Sequence, residues 1–375
     1  MKYFPFILIT LANTLPLIVG IFFYQNFFGN FESNYIVYTI LFWFFAIFFL
    51  FVALKRNILV IKNLLLTDLK YLKVLNYFIF FSFFMFLINY DLIFTSRNVG
   101  LNVTSFKFKL FFLFEDIYIL TYYLLLFKTF IDKKFLNIVL SILFSIIIIG
   151  LFGRFIIITS FLIFLLLVWV HNQEKKTFYS SIMLGGIMII VLYFVENFRN
   201  PESIFFIQLL DRISEAATLS IVDQIMNNPP LDYFKNFENL IFLYIPSVIY
   251  PAKPFINDGF SFMIDYFGYG SGETFTRFPI LLHIDSFRRF GWYGLIFSIL
   301  PTLVFYYLIK INFLLKQKFM IPFSFILTFK YLFFLYPRAI LGIIEISLYT
   351  YVRSVILLMI LFYLFKLFFY KEEIS

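Results

Sequence analysis

Over most of this chain, hydrophobic and polar positions follow neither a helical nor a strand period. Apolar residues run in long blocks, and polar residues gather in the stretches between them. A helix that is apolar on every side belongs in lipid or at the centre of a large core. Crossing ~30 Å of hydrocarbon takes about 20 helical residues. By that measure ten spans are expected, near residues 4–24, 35–54, 77–95, 110–127, 135–152, 155–171, 178–195, 291–309, 321–337 and 351–370. The fifth and sixth divide a 37-residue apolar stretch, Phe135 to His171, which as a single helix would reach ~55 Å at 1.5 Å per residue. Gly150-Leu-Phe-Gly153-Arg154 is where that stretch is expected to fold back. Residues 58–76 set leucines against Lys62, Asp68, Lys70 and Lys73, the pattern of a helix lying on the membrane surface. The N-terminal block reads as a retained first span, because it lacks a small-residue cleavage site. The predicted fold class is all-α: a polytopic helical membrane protein with about ten transmembrane helices and one large extracytoplasmic loop.

That loop is the 95-residue segment from Glu196 to Phe290, too long for a simple connector and of a size that usually carries function. It separates an N-terminal seven-helix region (1–195) from a C-terminal three-helix region (291–375). Within it, residues 203–226 show apolar positions at helical spacing, with Asp211, Arg212, Glu215 and Asp223 on the other side. Asn227-Asn-Pro-Pro230 stops that helix, and a second helical piece is expected over about 232–245.

Composition supports the pattern and narrows the chemistry. With 62% hydrophobic and 14% charged residues, and a mean hydropathy of +0.94, no soluble fold has interior enough to hide the apolar surface. The 62 Phe and 26 Tyr fill the spans in place of other apolar residues. Cysteine is absent, which excludes disulfides, thiolate metal sites and thiol nucleophiles. The two histidines, His171 and His283, fall on opposite sides of the expected membrane and cannot share a metal, so no metal or cofactor is expected. The net charge of +9 is scattered between spans rather than gathered into a run that tracks phosphates. The lipid bilayer, and not nucleic acid, is the expected surroundings.

Charge placement sets the orientation. With both termini cytoplasmic, 15 of 20 lysines lie on the cytoplasmic side, as positive-inside bias requires. Of the 10 arginines only Arg56 joins them; Arg97, Arg154, Arg199, Arg212, Arg277, Arg288, Arg289, Arg338 and Arg353 fall outside. Guanidinium is a planar fork that grips phosphate or carboxylate in two places. An outward anion site is one use for these arginines; salt bridges are the other, since 16 of the 21 acidic residues share that side. Arg154 sits on the tightest hairpin with no acidic neighbour in sequence. His283 and Asp285 lie in His283-Ile-Asp285-Ser-Phe-Arg288-Arg289-Phe-Gly291, where an imidazole or carboxylate could take a proton from a hydroxyl. Glu115-Asp116 is an acidic pair near a span end, which suggests either a wet boundary or an intramembrane relay.

Three segments resemble the bacterial O-antigen polymerase family (Wzy-type): Phe152-Gly153-Arg154; Ile245-Pro246 followed by Tyr250-Pro251-Ala-Lys253-Pro254; and Arg289-Phe-Gly291-Trp-Tyr-Gly294. The layout of spans around one large loop in the second half resembles it too. The resemblance implies an integral-membrane glycosyltransferase that joins undecaprenyl-diphosphate-linked oligosaccharide units at the outer face of the bacterial cytoplasmic membrane. It implies that Arg154 and Arg277, then Arg212, Arg289 and Arg338, clamp the leaving diphosphate, and that His283 with Asp285 behind it acts as base. A membrane-bound chain-length regulator is the further partner it implies. Some members carry Arg, ten intervening residues, then Gly in their outer loops; no such pair occurs here, where thirteen residues separate Arg277 from Gly291. Two other readings stand beside this one. An O-antigen ligase shares the topology, although His283 is followed by Ile284 where ligases commonly carry Asn. A lipid-linked oligosaccharide flippase or transporter would use Glu115-Asp116, Asp91 and Lys330.

Overall fold

The computed structural model describes residues 3–27, 33–68, 75–89, 110–111, 113–132, 134–152, 155–170, 222–227, 229, 231–235, 237–245, 280–314, 320–333 and 338–369. All regular structure among them is helical. The order is α1 (Phe4–Phe27), α2 (Ser33–Asp68), α3 (Leu75–Ile88), α4 (Glu115–Asp132), α5 (Phe135–Phe152), α6 (Phe155–Val170), α7 (Val222–Asn227), a 3₁₀ helix (Phe237–Tyr244) and α8 (Leu282–Phe290). A second 3₁₀ helix (Gly291–Ile299) then leads into α9 (Leu300–Leu314), followed by α10 (Met320–Leu332). The last helix is one run in three parts: α11 (Ile340–Glu345), a π-helical segment (Ile346–Thr350) and α12 (Tyr351–Phe369). Three stretches, 34–55, 282–312 and 340–365, are long and apolar enough to cross a membrane, and shorter apolar helices accompany them. The architecture points to a multi-pass membrane protein. The expected span at 178–195 lies outside the described residues.

Three expectations need correction. Residues 58–68 are not a separate surface helix: α2 runs unbroken for 36 residues, ~54 Å at 1.5 Å per residue. Its sequence holds no glycine or proline, so nothing interrupts the backbone ladder where the apolar block ends and Lys55-Arg56 begins. Residues 231–235 form turns rather than the start of a helix at 232, and the helical piece is a 3₁₀ helix beginning at Phe237. The boundary between loop and C-terminal region at 290/291 falls inside a helical hairpin, because α8 is buried in the bundle from Leu282 to Arg289.

That hairpin depends on two glycines. Gly291 has φ +56°, a left-handed conformation that side chains disfavour, and it ends α8. The chain then doubles back closely enough that a Cβ on Gly294 would lie 2.3 Å from the Ser286 carbonyl oxygen and 2.6 Å from the Tyr38 hydroxyl. The 282–312 stretch therefore turns at Gly291, and only the part from there onward is available to cross a membrane. Its 3₁₀ segment and α9 reach about 40 Å together, enough for ~30 Å of hydrocarbon and part of a headgroup layer.

Packing sorts the uniformly apolar helices. α6 is buried at every position from Leu162 to Val170, and α4 from Ile117 to Leu125, so both stand at the centre. α5 is peripheral, exposing Phe135, Leu136, Ile142 and Ile146. With no water to compete, hydroxyls join the helices. Thr129 on α4 meets Ser141 on α5 at 2.6 Å, and Tyr122 meets Ser145 at 3.0 Å. Asn312 donates to Thr328, which contacts Tyr351 at 3.0 Å, linking α9, α10 and α12.

Candidate functional site

α8 is the most polar helix of the bundle and is nonetheless buried, with His283, Asp285, Arg288 and Arg289 all shielded. Helical spacing explains how a carboxylate and two guanidinium groups share one place. Residues three and four apart are neighbours on a helix, so Arg288 and Arg289 both reach back to Asp285. Arg288 Nη2 donates to Asp285 Oδ1 at 2.8 Å, and Arg289 Nε donates to the same oxygen at 3.1 Å. Asp285 Oδ2 accepts the backbone N–H of Ile340 at 3.0 Å. Ala339 provides no side-chain cap for α11, so this distant carboxylate satisfies one of that helix's unpaired first-turn donors.

The two arginines then reach outward to the segment before the first 3₁₀ helix. Arg288 Nη1 donates to Asp232 Oδ2 at 3.0 Å. Arg289 Nη1 donates to the carbonyls of Tyr233 and Lys235 at 3.1 and 3.0 Å. In return, the N–H groups of Leu231 and Tyr233 donate to the carbonyls of Arg288 and Arg289, both at 3.1 Å, capping the end of α8. Leu231 and Tyr233 hold positive φ angles of 51° and 38° to do so. Left-handed backbone at non-glycine residues costs ~1–3 kcal/mol each and persists only where many contacts over-determine it. These bonds also explain why residues 231–235 do not join a helix: their backbone groups are already engaged. Asp285 and Asp232 face the two guanidinium groups, and the Lys235 ammonium adds a third cation 3.8 Å from Asp232.

His283 faces another way, toward α2. Trp43 Nε1 donates to its Nδ1 at 3.3 Å, and Tyr35 OH lies 3.1 Å from its Nε2. Indole can only donate, so Nδ1 is an acceptor and the ring proton sits on Nε2, facing the Tyr35 oxygen. Beside the ring is a cavity of about 10 Å³, bounded by Tyr35, Tyr38, Ile225, Met226 and Phe287 and roomy enough for one water at most.

A second buried carboxylate lies elsewhere in the bundle. Asp116, in the first turn of α4, pairs through Oδ1 with the Lys330 ammonium of α10. Its Oδ2 accepts the Tyr331 hydroxyl at 2.6 Å and the Ser354 hydroxyl of α12. The π-helical segment ends just before this contact, as such bulges often do near functional groups. Next to Ser354, Arg353 stacks its guanidinium 5.4 Å from the Tyr349 ring centre, and its buried Nε has no hydrogen-bond partner.

Of the residues singled out from sequence, His283, Asp285, Arg289 and Arg338 come to one end of the bundle. Arg338 is half-buried, two residues before the Ile340 N–H that Asp285 accepts. Asp285 does not support His283: its oxygens are bonded to Arg288, Arg289 and Ile340, while the His283 nitrogens meet Trp43 and Tyr35. As placed, Arg289 is buried and ties protein to protein rather than facing a ligand. Arg154, Arg277 and Arg212 lie outside the described residues. Sequence reading did not single out Arg288, Asp232, Tyr35 or Trp43 for this site. The i, i+3, i+4 spacing of Asp285, Arg288 and Arg289 was a usable signal; nothing in sequence pointed to Asp232. Among the described residues no three His, Asp or Glu side chains converge as metal ligands would.

Compared with known proteins, the chain matches no family model, no characterised protein and no solved structure.

Proposed function

We propose that this protein is an integral-membrane glycosyltransferase of the bacterial cytoplasmic membrane. It polymerises undecaprenyl-diphosphate-linked oligosaccharide units into a surface polysaccharide at the outer face. In this reading both termini are cytoplasmic, and the segment from residue 196 to the start of α8 is extracytoplasmic. The growing chain passes from its lipid diphosphate to a hydroxyl of the incoming unit. Negative charge develops on the departing diphosphate, and preorganised guanidinium groups stabilise it.

The observation that carries the reading is the clasp at α8, which draws together the 231–237 segment, the start of α11 and Arg338. It supplies a rigid floor on which arginines of the loop and of the 338 segment can meet an anionic lipid. The diphosphate role falls to Arg338, Arg154, Arg277 and Arg212, while Arg288 and Arg289 hold the floor in place. His283 enters the chemistry only when an acceptor hydroxyl takes the place of Trp43 on Nδ1, because both ring nitrogens are engaged. The test is a glycolipid gel of strains carrying Arg338→Ala or Arg154→Ala beside a deletion strain. Loss of the polymer ladder with the protein still inserted at normal abundance is the expected result; a normal ladder in both variants overturns the clamp. Deletion that abolishes all decoration while lipid-linked polymer accumulates would instead indicate a ligase.

A transporter of lipid-linked oligosaccharide is the second reading, favoured by the buried Asp116–Lys330 pair, since ionisable groups inside a bundle often mark ion pathways. Polymer formation by purified protein in detergent, where no compartments exist, excludes a transport-only role.

A further inference from the structure

The segment clasped by α8 exposes large apolar side chains although it belongs to the 95-residue loop between the apolar blocks. Phe234 is 63% exposed and Ile241 74%, with Tyr233 beside them. This patch continues onto the membrane-crossing stretch after Gly291. Phe234 meets Phe290 at 5.5 Å, Phe290 stacks on Phe297 at 4.6 Å, and Leu231 approaches Gly291 to 3.8 Å of where its Cβ would be. From there the exposed face runs through Trp292, Tyr293 (86%) and Ile296 (72%).

We infer that residues 231–244 form a foot that lies in the interfacial layer of the bilayer, its aromatic face against lipid. Three observations select lipid rather than water or protein. The patch is continuous with the lipid-facing side of a crossing helix. Trp292, Tyr293 and Tyr233, amphipathic rings enriched at headgroup level, stand where that helix begins, and the exposed Lys235 has a stem long enough to lie along apolar surface with its ammonium in the headgroups. The crossing stretch, at about 40 Å, also exceeds the hydrocarbon thickness, so its first residues reach the headgroup layer and bring the clasped segment with them. The clasp acquires a task from this: Arg288 and Arg289 fix the foot so that Phe234 and Ile241 meet lipid in a set register. The inference needs only the multi-pass architecture and stands apart from the glycosyltransferase reading.

The chain contains no cysteine, so single cysteines can be introduced in the full protein without further change. Spin labels at Phe234→Cys and Ile241→Cys are compared with Ile296→Cys as lipid reference and Lys134→Cys, exposed between α4 and α5, as water reference. The protein is reconstituted in phosphatidylethanolamine–phosphatidylglycerol vesicles, and collisions with oxygen and with a nickel chelate are measured. Oxygen should exceed nickel at 234 and 241, as at 296, with the reverse at 134. Nickel exceeding oxygen at 234 and 241 means a water-facing segment and overturns the inference. Low accessibility to both means that protein covers the patch, from this chain or a second copy, and overturns it equally. As a check free of labels, Phe234→Trp in a Trp292→Phe background, which keeps the buried Trp43 and Trp169, should add emission that lipids brominated near the headgroup quench; added emission that stays unquenched counts against the foot.

Discussion

Asp285 and Asp116 are both buried carboxylates held by cations, yet they solve different problems. Asp285 lies on a short helix at one end of the bundle, and its partners join segments far apart in sequence: Arg288 and Arg289 of its own helix, the backbone of Ile340, and through the arginines residues 231–235. Asp116 lies where α4, α10 and α12 meet and is held by Lys330, Tyr331 and Ser354. Fourteen residues along one continuous helix, about 21 Å, separate Ile340 from Ser354, so the clusters mark two levels. The difference in cation matters most. Arginine holds a carboxylate with a planar fork of several donors, whereas lysine is a point charge on a flexible stem. The clasp bridges several segments through its two guanidinium groups; the Asp116–Lys330 pair joins α4 to α10 at one point, with Tyr331 and Ser354 completing it.

Breaking the two tests this distinction. Asp285→Ala leaves two guanidinium groups buried with no way to become neutral. It should cost the most, ~3–5 kcal/mol, read as a fall in unfolding temperature in detergent or as loss of accumulated protein. Next comes Gly294→Ala, where the added Cβ meets backbone rather than a flexible side chain. An overpacking cost of ~1–3 kcal/mol is expected, measured by the same melt. Asp116→Asn should cost about 1.5–3 kcal/mol, because it removes the charge-assisted bond to Lys330 while the amide oxygen still accepts from Tyr331 or Ser354. Combining it with Lys330→Met should recover most of that loss, since an apolar replacement of a buried pair is often neutral. A double variant as unstable as the single one would mean that the pair does more than tie helices. Tyr35→Phe removes one hydrogen bond to His283 and is expected to cost only ~1 kcal/mol in the same assay.

How much of this was legible beforehand follows from the kind of signal each feature leaves. The division of the 37-residue apolar run into α5 and α6 was readable, because such a run exceeds the bilayer as one helix; the expected turn at Gly153-Arg154 lies outside the described residues. The unbroken course of α2 was not: its charges suggested a surface helix, while the absence of any glycine or proline decided for continuity. The hairpin at Gly291 was missed for a related reason. Gly291 and Gly294 sit at what hydropathy reads as the start of a span, and only the close approach to Ser286 explains the second. In the clasp, the local part was legible and the distant part was not. Asp285, Arg288 and Arg289 occupy one helical face by spacing alone, but Asp232 lies 56 positions from Arg288 and carries no mark of its partner.

What the sequence by itself determined is the solvent. Apolar blocks of bilayer length, a charge content of 14% and lysines gathered on one side of the expected membrane follow from transfer free energies that do not depend on which helix touches which. The tertiary structure alone decided which apolar helices face lipid and which form the core. Composition cannot distinguish α5 from α6, because lipid tails and neighbouring leucines are equally apolar; α5 turns its side chains outward while α6 buries nine in a row. It also decided that the charged residues of α8 serve as a fastening. A charge inside a bundle is tolerable only where its counter-charge has been brought to it, and that meeting is a property of the folded chain.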